Sequence, residues 1–198
     1  MPLGETEVDV SIKERWIGRR ISTVEDEVAF WRDAGFDYVP IAIDLADMNP
    51  QKRVPKEGLR KDEGELLKQG GQWAAESEGI ITSMADLEEH HFPQASELDT
   101  SLFEKIEAIL PEGMGILGRT GHVFTDVWRL MGFEAFALSV LENEELVASL
   151  FEKVASTVYE ATCKILQFKK VGAIKFSDDL AYTEGLIVSP EIYRKYLF

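Results

Sequence analysis

The chain has 198 residues, enough for one domain with a sizeable core. It is 45% hydrophobic and 29% charged, with one cysteine and a net charge of −15. An intrachain disulfide framework is excluded, the apolar runs are too short to span a bilayer, and so acidic a surface argues against nucleic acid and anionic membranes as partners. With no signal-peptide layout at the N-terminus, the cytoplasm is the expected location.

Thr23 is placed to cap a helix whose first turn carries Glu25, Asp26 and Glu27, where the helix dipole favours acids. Val24, Val28, Ala29 and Trp31 give its apolar stripe, and Gly35 its stop. Tyr38 to Ile43 follows as a buried strand ending at Asp44. Pro40 is its weak point, because proline donates no ladder hydrogen bond. Residues 45–79 are polar and form a long excursion, with a short helix expected over Glu63 to Lys68. Leu102, Phe103, Ile106, Ile109 and Leu110 fit one helix face, closed by Pro111 and Gly113.

Met114 to Leu117 reads as the next strand, and Gly118 to Gly121 as a turn. A helix from Asp126 to Met131 is broken by Gly132 and continues over Phe133 to Leu141. Asn143 caps a long helix with Glu144 and Glu145 in its first turn and a core stripe running from Val147 to Ile165. Lys169 and Lys170 suit its C-terminal end, Gly172 its stop, and Ala173 to Phe176 a third strand. Ser189, Pro190 and Glu191 open the last helix. This alternation is the grammar of a parallel α/β protein, and does not by itself separate a barrel from a doubly wound sheet.

In such folds chemistry sits at the carboxyl ends of strands. Three places qualify: Asp44; Arg119, Thr120 and His122; and Ser177, Asp178 and Asp179. Adjacent carboxylates such as Asp178 and Asp179 raise each other's pKa or share a cation or proton, unless one of them caps backbone amides. His122 is either an acid–base group or a rim hydrogen-bond donor. Trp128 is either an aromatic wall or core packing. His90 and His91 are adjacent on a helix-like segment and face apart, which makes a poor metal site. Cys163 is expected to be a small buried core residue. No phosphate loop, dinucleotide fingerprint or nucleophile elbow occurs.

The segments EDEVAFWRDAGFDYVPIAID, GMGILGRTGHVFTDVWRLMGFEAFAL and IKFSDDLAYTEGLIVSPEIYRKYLF resemble the uroporphyrinogen decarboxylase superfamily. The resemblance implies a (β/α)8 TIM-type barrel, of which residues 1–198 supply about the N-terminal half as one partial domain. It implies tetrapyrrole decarboxylation or corrinoid-dependent methyl transfer. Asp44 stands where the decarboxylases grip pyrrole nitrogens. Trp128 and Asp178 replace a tyrosine and a serine, which favours the methyltransferase-like branch. On that reading Asp178, Asp179 and His122 are catalytic, and Asp44, Arg119 and Trp128 bind a small-molecule substrate. This stretch itself is expected to hold no metal or cofactor. Zinc and a corrinoid protein are implied for the whole barrel, and exposed barrel edges imply self-association. The alternatives are true uroporphyrinogen decarboxylase and a non-catalytic half-barrel.

Overall fold

A computed structural model describes residues 4–45, 48 and 79–198. The helix expected over residues 63–68 lies outside the described residues. The elements in chain order are α1 (Val10–Ile17), α2 (Val24–Asp33), β1 (Tyr38–Ala42), α3 (Met84–Glu89), α4 (Ser101–Ile109), β2 (Gly115–Arg119), α5 (Phe124–Met131), α6 (Phe133–Glu142), α7 (Glu144–Ile165), β3 (Val171–Lys175), β4 (Ala181–Tyr182), β5 (Gly185–Leu186) and α8 (Pro190–Tyr196). They form a mixed α/β structure whose described parallel sheet stays open. The chain divides into two compact units.

The first unit comprises residues 1–45, 93–121 and 157–177. Its sheet has the order β1-β2-β3, all parallel. Thr23 closes a capping box with Asp26 at the start of α2, and Gly35 follows that helix at φ +85°. Pro40 is accommodated by its position in β1. The Asp37 carbonyl accepts from the Gly115 N–H, and the Ile43 N–H donates to the Arg119 carbonyl. The odd-numbered residues therefore face β2, and the proline nitrogen faces the other way.

Val39, Ile41 and Ile116 are buried, and Ile41, Gly118 and Ile174 share one row of one sheet face. Gly118 lets Ile165 of α7 approach that row. A Cβ there would lie 2.7 Å from the Ile165 Cδ1 and 2.8 Å from the Ile174 Cδ1. On the opposite face Ala42, Arg119 and Lys175 form a row.

Several boundaries differ from the expected ones. β2 runs on through Gly118 and Arg119, because the pairing with both neighbours continues that far. The long helix stops at Ile165, well before Gly172. Short-range bonds from Gln167 and Phe168 back to Lys164 and Ile165 tighten its exit, and Phe168 packs on Phe103. Gly172 lies within β3, at the bulge where Ile116 pairs with Val171 and Leu117 with Ala173. Cys163 is exposed rather than buried. It stands two residues from both Ala161 and Ile165, about 200° around the helix from each of these buried positions.

The second unit comprises residues 46–92, 122–156 and 178–198. Its core gathers Phe124, Phe136, Phe151 and Tyr193, with Phe124 edge-on to Phe136 at 5.6 Å and to Tyr193 at 5.0 Å. Gly132, at φ +79°, separates α5 from α6 as the glycine break requires. Asn143 bonds the Leu146 N–H at 3.4 Å as the cap of α7. After Asp179, β4 pairs with β5 in an antiparallel ladder. No described helix is long and apolar enough to cross a membrane.

Substitution Gly118→Val forces side-chain bulk against Ile165 and Ile174. It is expected to lower unfolding stability by about 2 kcal/mol, read as a reduced urea midpoint.

Candidate functional site

The second unit holds a polar cluster at the start of α5. The cluster exists because α5 has no local cap. Its N-cap position is Val123, whose side chain offers no acceptor, so the first backbone N–H groups need a partner from elsewhere. Asp178 supplies it. Its Oδ2 accepts from the N–H of Val123 at 2.8 Å and of Phe124 at 2.9 Å, and its Oδ1 accepts from the N–H of Thr125 at 2.8 Å. The negative charge also faces the positive end of the helix dipole. In return the Asp179 N–H donates to the Thr125 hydroxyl at 3.3 Å. At the other end of α5, the N–H groups of Ile80 and Ile81 both donate to the Leu130 carbonyl.

Asp178 and Asp179 therefore have different surroundings. Asp178 is the loop carboxylate that caps amides, and its two oxygens are taken up by three donors. The half-buried Asp179 carboxylate makes no hydrogen bond or ion pair among the described residues.

His122 lies just before α5 and is tied to Asp126, one turn along. The His122 backbone N–H donates to Asp126 Oδ2 at 3.0 Å, and its Nδ1 lies 3.7 Å from Asp126 Oδ1. The Asp126 side chain is 7% exposed and also lies 3.9 Å from Nη1 of Arg129. The Asp126 carboxylate holds the His122 pKa above its ordinary value. Asp178 adds to the effect, and partial burial and Arg129 oppose it. Trp128 is half-buried, edge-on to Phe133 at 5.8 Å and beneath the Arg129 guanidinium at 5.5 Å. Its indole N–H is shielded from solvent and has no acceptor among the described residues.

Asp126 and Arg129 are the members of this cluster that strand-end reasoning misses. Their signal in the sequence is spacing: His122 to Asp126 is i,i+4 and Asp126 to Arg129 is i,i+3, both on one helical face.

In the first unit, Asp44 is exposed just beyond β1. Arg119 is the last residue of β2, and its guanidinium is ion-paired with Glu7. The Thr120 hydroxyl is buried without a hydrogen-bond partner among the described residues. No group of three or more His, Cys, Asp or Glu side chains able to hold a metal ion occurs among the described residues.

The sequence matches no family model and no curated protein. The fold has a likeness among solved structures. This chain is similar in fold to a methyltransferase from Methanosarcina mazei. The TM-score is 0.57, at 13% sequence identity. The match covers 97% of this chain and 57% of the methyltransferase, so the chain spans little more than half of that protein's length.

Two measurements check this geometry. Asp178→Asn leaves one side-chain oxygen for three N–H donors and should cost about 2 kcal/mol in denaturant unfolding. The raised pKa of His122 makes its share of stability fully present below the unfolded value of 6.5 and lost as pH rises through the higher folded value. The unfolding free energy should fall across that window, and His122→Gln should flatten the fall.

Proposed function

We propose that the chain is part of a (β/α)8-barrel enzyme of the uroporphyrinogen decarboxylase superfamily, on its corrinoid-dependent methyltransferase-like branch. The supporting observation is the likeness of fold to a methyltransferase. The partner is then a corrinoid protein and the acceptor a small thiol, with the open sheet edges as places for self-association. Zinc does not fit the described residues, which bring together no three His, Cys, Asp or Glu side chains able to hold it.

His122 carries the chemistry that this chain can offer. As neutral imidazole it would take the proton of the acceptor thiol at Nε2; the thiolate sulfur would then bond to the methyl carbon as that carbon's bond to the donor breaks, the bonding electron pair staying with the donor. Asp126, beside Nδ1, orients the ring and stabilises the imidazolium that results. Asp178 is a positioning residue, because it holds the start of the helix that carries Asp126. Asp179, with its carboxylate unengaged, stands as a second acid–base group. Trp128 is a substrate contact in the second unit.

The test is transfer of the methyl group from methylcobalamin to 2-mercaptoethanol, followed by cobalamin absorbance. Transfer is expected, with a rate about 100-fold lower in His122→Ala. An unchanged rate in that variant removes His122 from the chemistry. Decarboxylation of uroporphyrinogen without methyl transfer replaces the reading with its decarboxylase alternative.

A further inference from the structure

We infer that Arg119 and Lys175 form a binding site for a small-molecule dicarboxylate, and that the chain's own segment Glu5 to Glu7 occupies this site until such a ligand displaces it. The site lies wholly in the first unit. It rests neither on the His122 cluster nor on the methyl-transfer reading.

Arg119 and Lys175 are register partners on neighbouring parallel strands. Their side chains therefore leave the same sheet face one strand spacing apart, about 4.8 Å at the backbone. Each is the last residue of its strand, at the end where parallel α/β folds hold their ligands. Their face is the one turned away from α7, whose Ile165 lies against Gly118 on the other side. Their row-mate on β1 is Ala42, whose methyl group brings no charge to the pair.

An acid of the same chain is seated on these two cations. The Glu7 carboxylate is ion-paired with the Arg119 guanidinium, and the Lys175 Nζ donates to the Thr6 hydroxyl at 2.7 Å. The segment is shaped for this contact. The Glu5 carboxylate accepts from the N–H groups of Thr6 at 2.7 Å and Glu7 at 3.1 Å, and the Tyr38 hydroxyl donates to the Glu5 carbonyl at 2.7 Å. A carboxylate and a second oxygen acceptor are thus presented side by side to a guanidinium fork and an ammonium. A dicarboxylate reproduces this pattern with one charge for each cation, where the segment offers Lys175 only a neutral hydroxyl.

The tie is weak enough to open. The Glu7 side chain is 63% exposed, against 23% for Arg119, and exposed ion pairs contribute little net free energy. The segment before α1 has no helix or ladder of its own to hold it there.

The experiment titrates the ¹⁵N-labelled chain with sodium succinate, against sodium chloride at equal ionic strength. Two signals are followed: the Arg119 Nε–H resonance, assigned by its loss in Arg119→Lys, and the heteronuclear NOE of the Glu7 amide. The first should shift saturably in a way that chloride does not reproduce, and the second should fall with it as the segment leaves. Glu7→Gln removes the competing carboxylate and should tighten succinate binding about threefold. Arg119→Gln and Lys175→Gln should each weaken it about tenfold, as the loss of a charge-assisted contact does. Their binding is read from the backbone amide of Lys175 or Arg119, whichever is unsubstituted. Lys175 is exposed, so its variant decides the matter where Arg119→Gln loses its fold by melting temperature. A linear response, or one that chloride matches, overturns the inference. So does wild-type affinity in Lys175→Gln or in folded Arg119→Gln. An unchanged affinity in Glu7→Gln, or a Glu7 NOE that stays high at saturation, overturns displacement of the segment. Tighter binding of inorganic phosphate, equally sensitive to both cations, overturns the dicarboxylate assignment. A failed methyl-transfer assay leaves each of these outcomes unchanged.

Discussion

The second unit turns on one carboxylate. Helix α5 begins at a valine where helices ordinarily begin at Ser, Thr, Asp or Asn, so its first amides have no partner within the segment. Asp178, more than 50 residues further along the chain, accepts three of them at 2.8–2.9 Å. A charged acceptor at a helix N-terminus gains from both the hydrogen bonds and the dipole. The far end of the same helix is held by the amides of Ile80 and Ile81 on the Leu130 carbonyl. A helix tied at both ends by distant chain is a rigid carrier for Asp126, Trp128 and Arg129.

That rigidity gives the His122 cluster its character. Asp126 is nearly buried and pairs with both a histidine and an arginine, so its charge is spread over two partners at long range. The imidazole is held toward its charged form, yet keeps Nε2 open. A proton-transfer group needs a fixed ring and an unengaged nitrogen. The neighbouring indole adds a donor that no described residue satisfies.

The first unit is governed by the ladder. Pairing of β1 and β3 with β2 sets which residues share a row, and a glycine at position 118 lets α7 close on the sheet. The same alternation turns the nitrogen of Pro40 away from β2, so the proline costs that ladder nothing. Arg119, carried two residues beyond the expected strand end, is ion-paired with Glu7.

The sequence by itself determined the local features. The capping box at Thr23, the glycine breaks at Gly35 and Gly132, the Asn143 cap and the three strands of the parallel sheet each follow from residues close together in the chain, whose hydrogen bonding and φ preferences are local. It also marked Asp178, Asp179 and His122 as polar groups at strand ends. Only the tertiary structure decided what those groups do. Whether a carboxylate shares a proton with its neighbour or caps a helix depends on which amides lie within 3 Å of it, and those of Val123 to Thr125 come from a distant segment. Cys163 and Gly172 were misread for a related reason. The phase of the buried stripe and the position of a bulge are fixed by what packs and pairs across the chain, which near neighbours in sequence do not encode.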